Sequence, residues 1–270
     1  MFTSAGRAVG RETQLAQQIQ QPVTTGRHIA VTSIRGGAGK TTVAGLLTRA
    51  FAHYRHDPIL ALEADAALGT LPVRLGAKEV RWSCEELAQI LHPNMQLTDV
   101  TGYLVPLAEG AWLLPASQGQ IGARVDVQTY RLVVQALRRY FAVTVIDGET
   151  LPGEVARTAM NTAHAHVIAA PATAEGVAGT FEVLRWMSAP PLSLAPRTVV
   201  VLSAAAPVPG IDVANAAWYL GQLGVEVAVL PYDRHLAGGG AIRTDRLAEP
   251  TRQAAIYAAA AAMQRAVGVR

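Results

Sequence analysis

An apolar, β-branched run, His28–Ile34, leads into Arg35-Gly36-Gly37-Ala38-Gly39, and then Lys40-Thr41-Thr42 opens a segment with helical apolar spacing (Val43, Leu46, Leu47, Ala50, Phe51). Strand, glycine-rich loop and helix in that order make a phosphate-binding loop. Gly36, Gly37 and Gly39 let backbone N–H groups turn inward without Cβ interference, with Ala38 between them. The helix N-terminus adds partial positive charge. Lys40 supplies a full charge for phosphate oxygens, Thr41 a hydroxyl for Mg²⁺, and Thr42 a hydroxyl within reach of the α-phosphate. A plain glycine turn is the alternative, and the Gly-Lys-Thr-Thr run at the helix start argues against it. Ile34 holds the place where the common motif opens with Gly, so the loop is irregular at its first position.

A parallel sheet must surround such a loop, and the pattern supplies one. "PILALEA", "AVTVID", "AHVIAAPA", "RTVVVLS" and "VEVAVLP" are nearly continuous apolar runs separated by helical segments. "GYLVPLAEGAWLLPAS" reads as strand, turn and strand, and "SCEELAQIL" carries a capping box on Ser83 and Glu86. Continuous apolar strands alternating with helices specify an α/β fold. Its sheet is doubly wound and mainly parallel, with helices on both faces. Ligands of such sheets bind beyond the carboxyl ends of the strands. Residues 27–270 are assigned to this domain. Residues 1–26, with the Gln-rich "RETQLAQQIQQPVTTG", read as an arm outside it, either a short partner-binding helix or disordered.

The chain has 270 residues, 50% apolar and 16% charged, enough for one sizeable core. A net charge of +3 is too small to imply nucleic acid by itself. One cysteine, Cys84, excludes an internal disulfide and a cysteine-built metal or iron–sulfur site within the chain. Residues 1–27 lack a signal-peptide core, and no 18-residue apolar run is present. The cytoplasm is the expected compartment.

Hydrolysis needs carboxylates at neighbouring strand ends. "ILALEAD" ends in Glu63 and Asp65, and "FAVTVID" ends at Asp147. Asp147 and Asp65, with Thr41, are the expected Mg²⁺ ligands; capping is the alternative for each carboxylate. Glu63 is either auxiliary to the site or a solvated strand end.

Together these parts resemble the ParA/MinD family of deviant Walker A ATPases, over about residues 28–267. The resemblance rests on "RGGAGKTT", Glu63-Ala64-Asp65, "VIDGETLPG", "AAPATAEGVAGTFEVL" and "AVLPYDRHLAGGG". The overall phrasing is similar to MinD-like ATPases of actinobacteria, some of which accompany type VII (ESX) secretion. The resemblance implies ATP and Mg²⁺ as ligands and an ATP-dependent homodimer whose slow hydrolysis a protein partner stimulates. It places Arg35 where the family's signature Lys crosses to the other subunit. Lys40, Asp65 and Arg35 are then the catalytic residues, Asp65 positioning water. It also places the base near Ser203 and at Pro231-Tyr232-Asp233. "GET" after Asp147 departs from the family and implies a looser switch segment.

A nucleotide-dependent scaffold with little hydrolysis, a ParA-like DNA partition ATPase and an ATP-using ligase are the competing readings. For DNA, Arg234, Arg243, Arg246 and Arg252 are the candidates, interleaved with Asp233, Asp245 and Glu249. The last helix is mostly alanine, a packing element more than an anchor. Peripheral association with the inner face of the membrane is therefore a secondary reading.

Overall fold

Residues of β1 (Arg27–Ser33) sit at the centre of an eight-stranded sheet in the order β3-β4-β2-β5-β1-β6-β7-β8. The other strands are β2 (Ile59–Glu63), β3 (Val105–Pro106), β4 (Ala111–Leu114), β5 (Val143–Thr150), β6 (Ala165–Pro171), β7 (Thr198–Ser203) and β8 (Glu226–Leu230). The computed structural model describes residues 4–65, 69–120, 123–191 and 193–268. All described pairings are parallel except β3 with β4, whose short connection 107–110 allows a hairpin. The central strands are buried on both faces because they are mostly apolar, as the sequence implies, with buried polar exceptions such as His28, Glu63 and His166.

One face is covered by α2 (Lys40–Tyr54), α3 (Leu71–Leu75) and α11 (Glu249–Gly268). Alanines 258–262 of α11 let that helix lie close on the sheet. The other face carries α4 (Cys84–Ile90), α6 (Val127–Leu137) and α7 (Glu154–Thr162), then α8 (Ala174–Ser188) and α9 (Val213–Gly221). Ser83 and Glu86 form the expected capping box at α4. The short helices α5 (Leu97–Thr101) and α10 (Arg234–Ala237) lie in connections. Among the described residues no helix is long and apolar enough to cross a membrane.

The expected arm is not outside the fold. Its described part forms α1 (Ser4–Ile19), which packs on α11 and buries Leu15 and Ile19 in the same core as the sheet. Arg55 fixes its end by donating to the carbonyls of Ile19 (2.6 Å) and Gln21 (2.8 Å). Helix-terminal carbonyls need such donors.

Candidate functional site

The loop between β1 and α2 carries its strain at two glycines. Gly37 and Gly39 adopt φ of 76° and 86°, and Gly39 is the N-cap of α2. Ser33 Oγ donates to the Arg35 carbonyl at 2.7 Å, holding the start of the loop. Gly36, Gly37, Ala38 and Gly39 then lead directly into Lys40, Thr41 and Thr42 on the first turn of α2.

Lys40, Thr41, Asp65 and Asp147 lie together at the carboxyl ends of β2 and β5 and the start of α2. Parallel pairing puts Val31, Glu63 and Asp147 in register on adjacent strands. Lys40 Nζ lies 3.9 Å from Asp65 Oδ2 and donates to Thr150 Oγ1 at 3.2 Å. Thr41's hydroxyl lies close enough to the Asp147 carboxylate to favour its charged form. Asp147 is 1% exposed, and its Oδ1 has no hydrogen-bond partner. Burial first, then Glu63 and Asp65 nearby, push this carboxyl up to about 7 against the pull of Thr41 and Lys40. A buried carboxylate oxygen without a partner, beside a hydroxyl and the Asp65 carboxylate, is a donor set that suits a hard divalent cation.

Glu63 is neither solvated nor aimed at this space. It is 2% exposed and accepts from the backbone N–H of Leu71 (2.9 Å) and Ala116 (3.2 Å). A Cβ at Gly69 would collide with its carboxylate, so the chain can close over it only through a glycine. Burial raises its carboxyl to about 7, the two N–H donors opposing. Its role is to tie the end of β2 to α3 and to the segment after β4.

The "GET" segment is not loose. β5 continues through Thr150, Leu151 N donates to Ser33 O at 2.8 Å, and the amides of Val155 and Ala156 at the start of α7 favour the charged form of Glu149 against its burial. Thr150 thereby becomes a partner of Lys40, a residue that the strand pattern gave no reason to single out.

Arg35 Nη1 pairs with Glu175 Oε1 on the first turn of α8, within the same chain. Both side chains are more than half exposed, at 53% and 71%. Thr42 Oγ1 accepts from the buried Arg74 Nη2 at 2.8 Å, so part of its capacity is spent inside the fold. Arg74 also donates to the carbonyls of Gly240 and Leu236, joining α2, α3 and the segment after β8. Sequence reasoning missed it; the only signal was an Arg in the otherwise apolar "LPVRL".

Pro231 and Tyr232 follow β8 at the carboxyl edge of the sheet, half-buried. Asp233 caps α10 and accepts from Ala248 N at 2.9 Å. Ser203, at the end of β7, keeps a buried Oγ without a partner. In the Arg234–Arg252 region, Arg243 pairs with Asp245 at 2.9 Å and Arg252 donates to Leu247 O. Among the described residues Arg234 and Arg246 have no side-chain hydrogen bond or ion pair, so the surface is mixed and satisfied only in part.

Sheet order and site together define a P-loop NTPase fold of the MinD/ParA kind. MinD from Pyrococcus horikoshii OT3, solved with Mg-ADP, superposes with a TM-score of 0.64 at 20% identity, covering 86% of this chain and 94% of that one. A ParA family ATPase from Chlorobium tepidum superposes with a TM-score of 0.66 at 12% identity, covering 86% and 98%. In sequence, the chain is similar to the ESX-1 secretion-associated protein EspI of Mycobacterium tuberculosis (strain H37Rv), with 29% identity over 228 residues. That match covers 82% of this chain but only 34% of EspI, so the chain spans about a third of its curated relative. No protein-family model matches the sequence.

Proposed function

We propose that the chain is a nucleotide-switched ATPase that binds ATP with Mg²⁺, hydrolyses it slowly and, as an ATP-dependent dimer, positions or loads a partner assembly. One observation carries the reading: buried Asp147 keeps an unpartnered Oδ1 beside Thr41, with Lys40 and Asp65 at the same strand ends. The loop amides of 36–39 and Lys40 bind the β- and γ-phosphates. Thr41, Asp147 and Asp65 would hold the metal, which would supply charge neutralisation to the phosphates. Asp65 accepts a hydrogen bond from the attacking water; its oxygen bonds to the γ-phosphorus as the β–γ bridge to ADP breaks. Pro231, Tyr232 and Ser203 border the base.

Arg35 reaches across to the second subunit in this reading. Its pair with Glu175 is exposed, worth ~0–1 kcal/mol, and gives way to a phosphate easily. The similarity to EspI supports a secretion-associated partner.

Calorimetric titration of ATP–Mg²⁺ tests the site. Lys40→Ala should lose binding by at least about tenfold; equal affinity overturns the reading. Phosphate release no faster than that of Asp65→Ala would leave a nucleotide-dependent scaffold in place of an ATPase. Sizing with ATP–Mg²⁺ tests the dimer: Arg35→Ala should abolish it, and an unaffected dimer removes the crossing role.

A further inference from the structure

At the opposite, amino ends of the strands, Asp57 and Glu226 are taken by Arg55 and Arg265, and a further group of bases gathers without a carboxylate partner among the described residues. Arg27 opens β1, Arg138 ends α6, His164 precedes β6, and Arg197 precedes β7. Pairing brings them together: Gly26 N donates to Arg138 O, and His164 N donates to His28 O. The segments that converge here, 20–28, 127–146, 155–174 and 183–211, contain no Asp or Glu. Among the described residues no carboxylate bonds to or pairs with Arg27, Arg138 or Arg197.

Donors also outnumber acceptors. Arg27 Nη1 (3.0 Å) and Arg138 Nη2 (3.3 Å) share one acceptor, Thr25 Oγ1. His164 is asked to accept twice, from His28 N at Nδ1 (2.9 Å) and from Arg138 Nη2 at Nε2 (3.1 Å). A neutral imidazole has one acceptor nitrogen and its other nitrogen bears a proton; the charged ring has none. One of the two contacts is therefore donor against donor in any tautomer. Nε of Arg27 and Nε2 of His28 are buried without partners. The helix-terminal carbonyls of α6 offset part of the Arg138 charge, but they leave this surplus standing.

We infer that Arg27, Arg138, His164 and Arg197 form a binding site for a phosphate group, either free phosphate or the terminus of a phosphate monoester. An oxyanion is acceptor-only and planar guanidinium groups meet it bidentately, so it resolves the donor conflict and the like-charge contact together. The site is separate from the glycine-rich loop, which lies at the carboxyl ends of the strands.

The test is calorimetric titration of inorganic phosphate into the full chain carrying Lys40→Ala, which weakens phosphate binding at the loop. Saturable binding is expected, weakened by about tenfold or more on adding Arg138→Gln or Arg197→Gln. The Arg197 side chain makes no hydrogen bond or ion pair among the described residues, its backbone N–H bonding to Leu194 O, so Arg197→Gln keeps the test valid if Arg138→Gln unfolds. The His164 ring ¹⁵N resonances should shift with phosphate in the Lys40→Ala chain and stay still in the Arg197→Gln variant. A second arm with glycerol 3-phosphate separates the sources: the tighter ligand names which form the site takes. Absence of saturable binding at millimolar phosphate, or binding indifferent to both arginine substitutions, overturns the inference.

Discussion

A carboxylate buried at a strand end must find donors or a cation, and Glu63 and Asp147 solve that problem differently. Glu63 is saturated by two backbone N–H groups of its own chain, whereas Asp147 keeps an oxygen free. Of the two residues in register, Glu63 is spent on the fold and Asp147 is the one left with capacity for the proposed ligand. Glu63→Ala should orphan two buried amides and cost about 2–4 kcal/mol in urea denaturation. Glu63→Gln, which keeps one acceptor, should cost visibly less. If Glu63→Ala unfolds at the parent's midpoint and instead weakens metal–nucleotide binding, the residue belongs to the site. The residues Lys40, Thr41, Asp65 and Asp147 were legible in the sequence because each sits beside a strand end that the apolar runs mark. The anchoring by Glu63, Thr150 and Arg74 was not, because it depends on where α3, the end of β5 and the 236–240 segment land in space.

At the scale of elements, the strands were readable because burial on both faces forces nearly every residue to be apolar. The first helix was not. Its apolar contribution beyond residue 9 is essentially Leu15 and Ile19, one turn apart among glutamines, too narrow a stripe to announce a docked helix. The surface that receives it is made by α11, two hundred residues later, and by Arg55. Ile19 is fully buried, so Ile19→Ala should cost about 2–4 kcal/mol. Arg55→Ala should destabilise as well, by stranding the carbonyls of Ile19 and Gln21. Chemical denaturation followed by circular dichroism reads both. An arm lying outside the fold would leave the unfolding midpoint unmoved by either change.

Taken as a whole, the molecule separates two chemistries along the strand axis: carboxylates and a phosphate loop at the carboxyl ends, and uncompensated bases at the amino ends. The second group ties stability to pH. Burial, with Arg138, Arg27 and the neighbouring histidine, holds the His28 ring down to about 3. Burial and then Arg197 hold His166 down to about 3, and burial with Arg138, Arg27 and Arg197 holds His164 down to about 4. In the unfolded chain these rings titrate near 6.5. Between about pH 4 and 6.5 the unfolded chain therefore binds protons that the folded chain refuses. Their contribution to stability is complete above pH 6.5 and falls as pH drops through that window. His166 isolates the effect, since both its ring nitrogens are buried without partners, away from the phosphate loop. His166→Leu should unfold at the parent's denaturant midpoint or above it at pH 7.5. At pH 5 it should recover about 1–2 kcal/mol of what the parent loses. An equal loss in parent and variant between those two pH values would mean that His166 takes up its proton in the folded chain, against its burial beside Arg197.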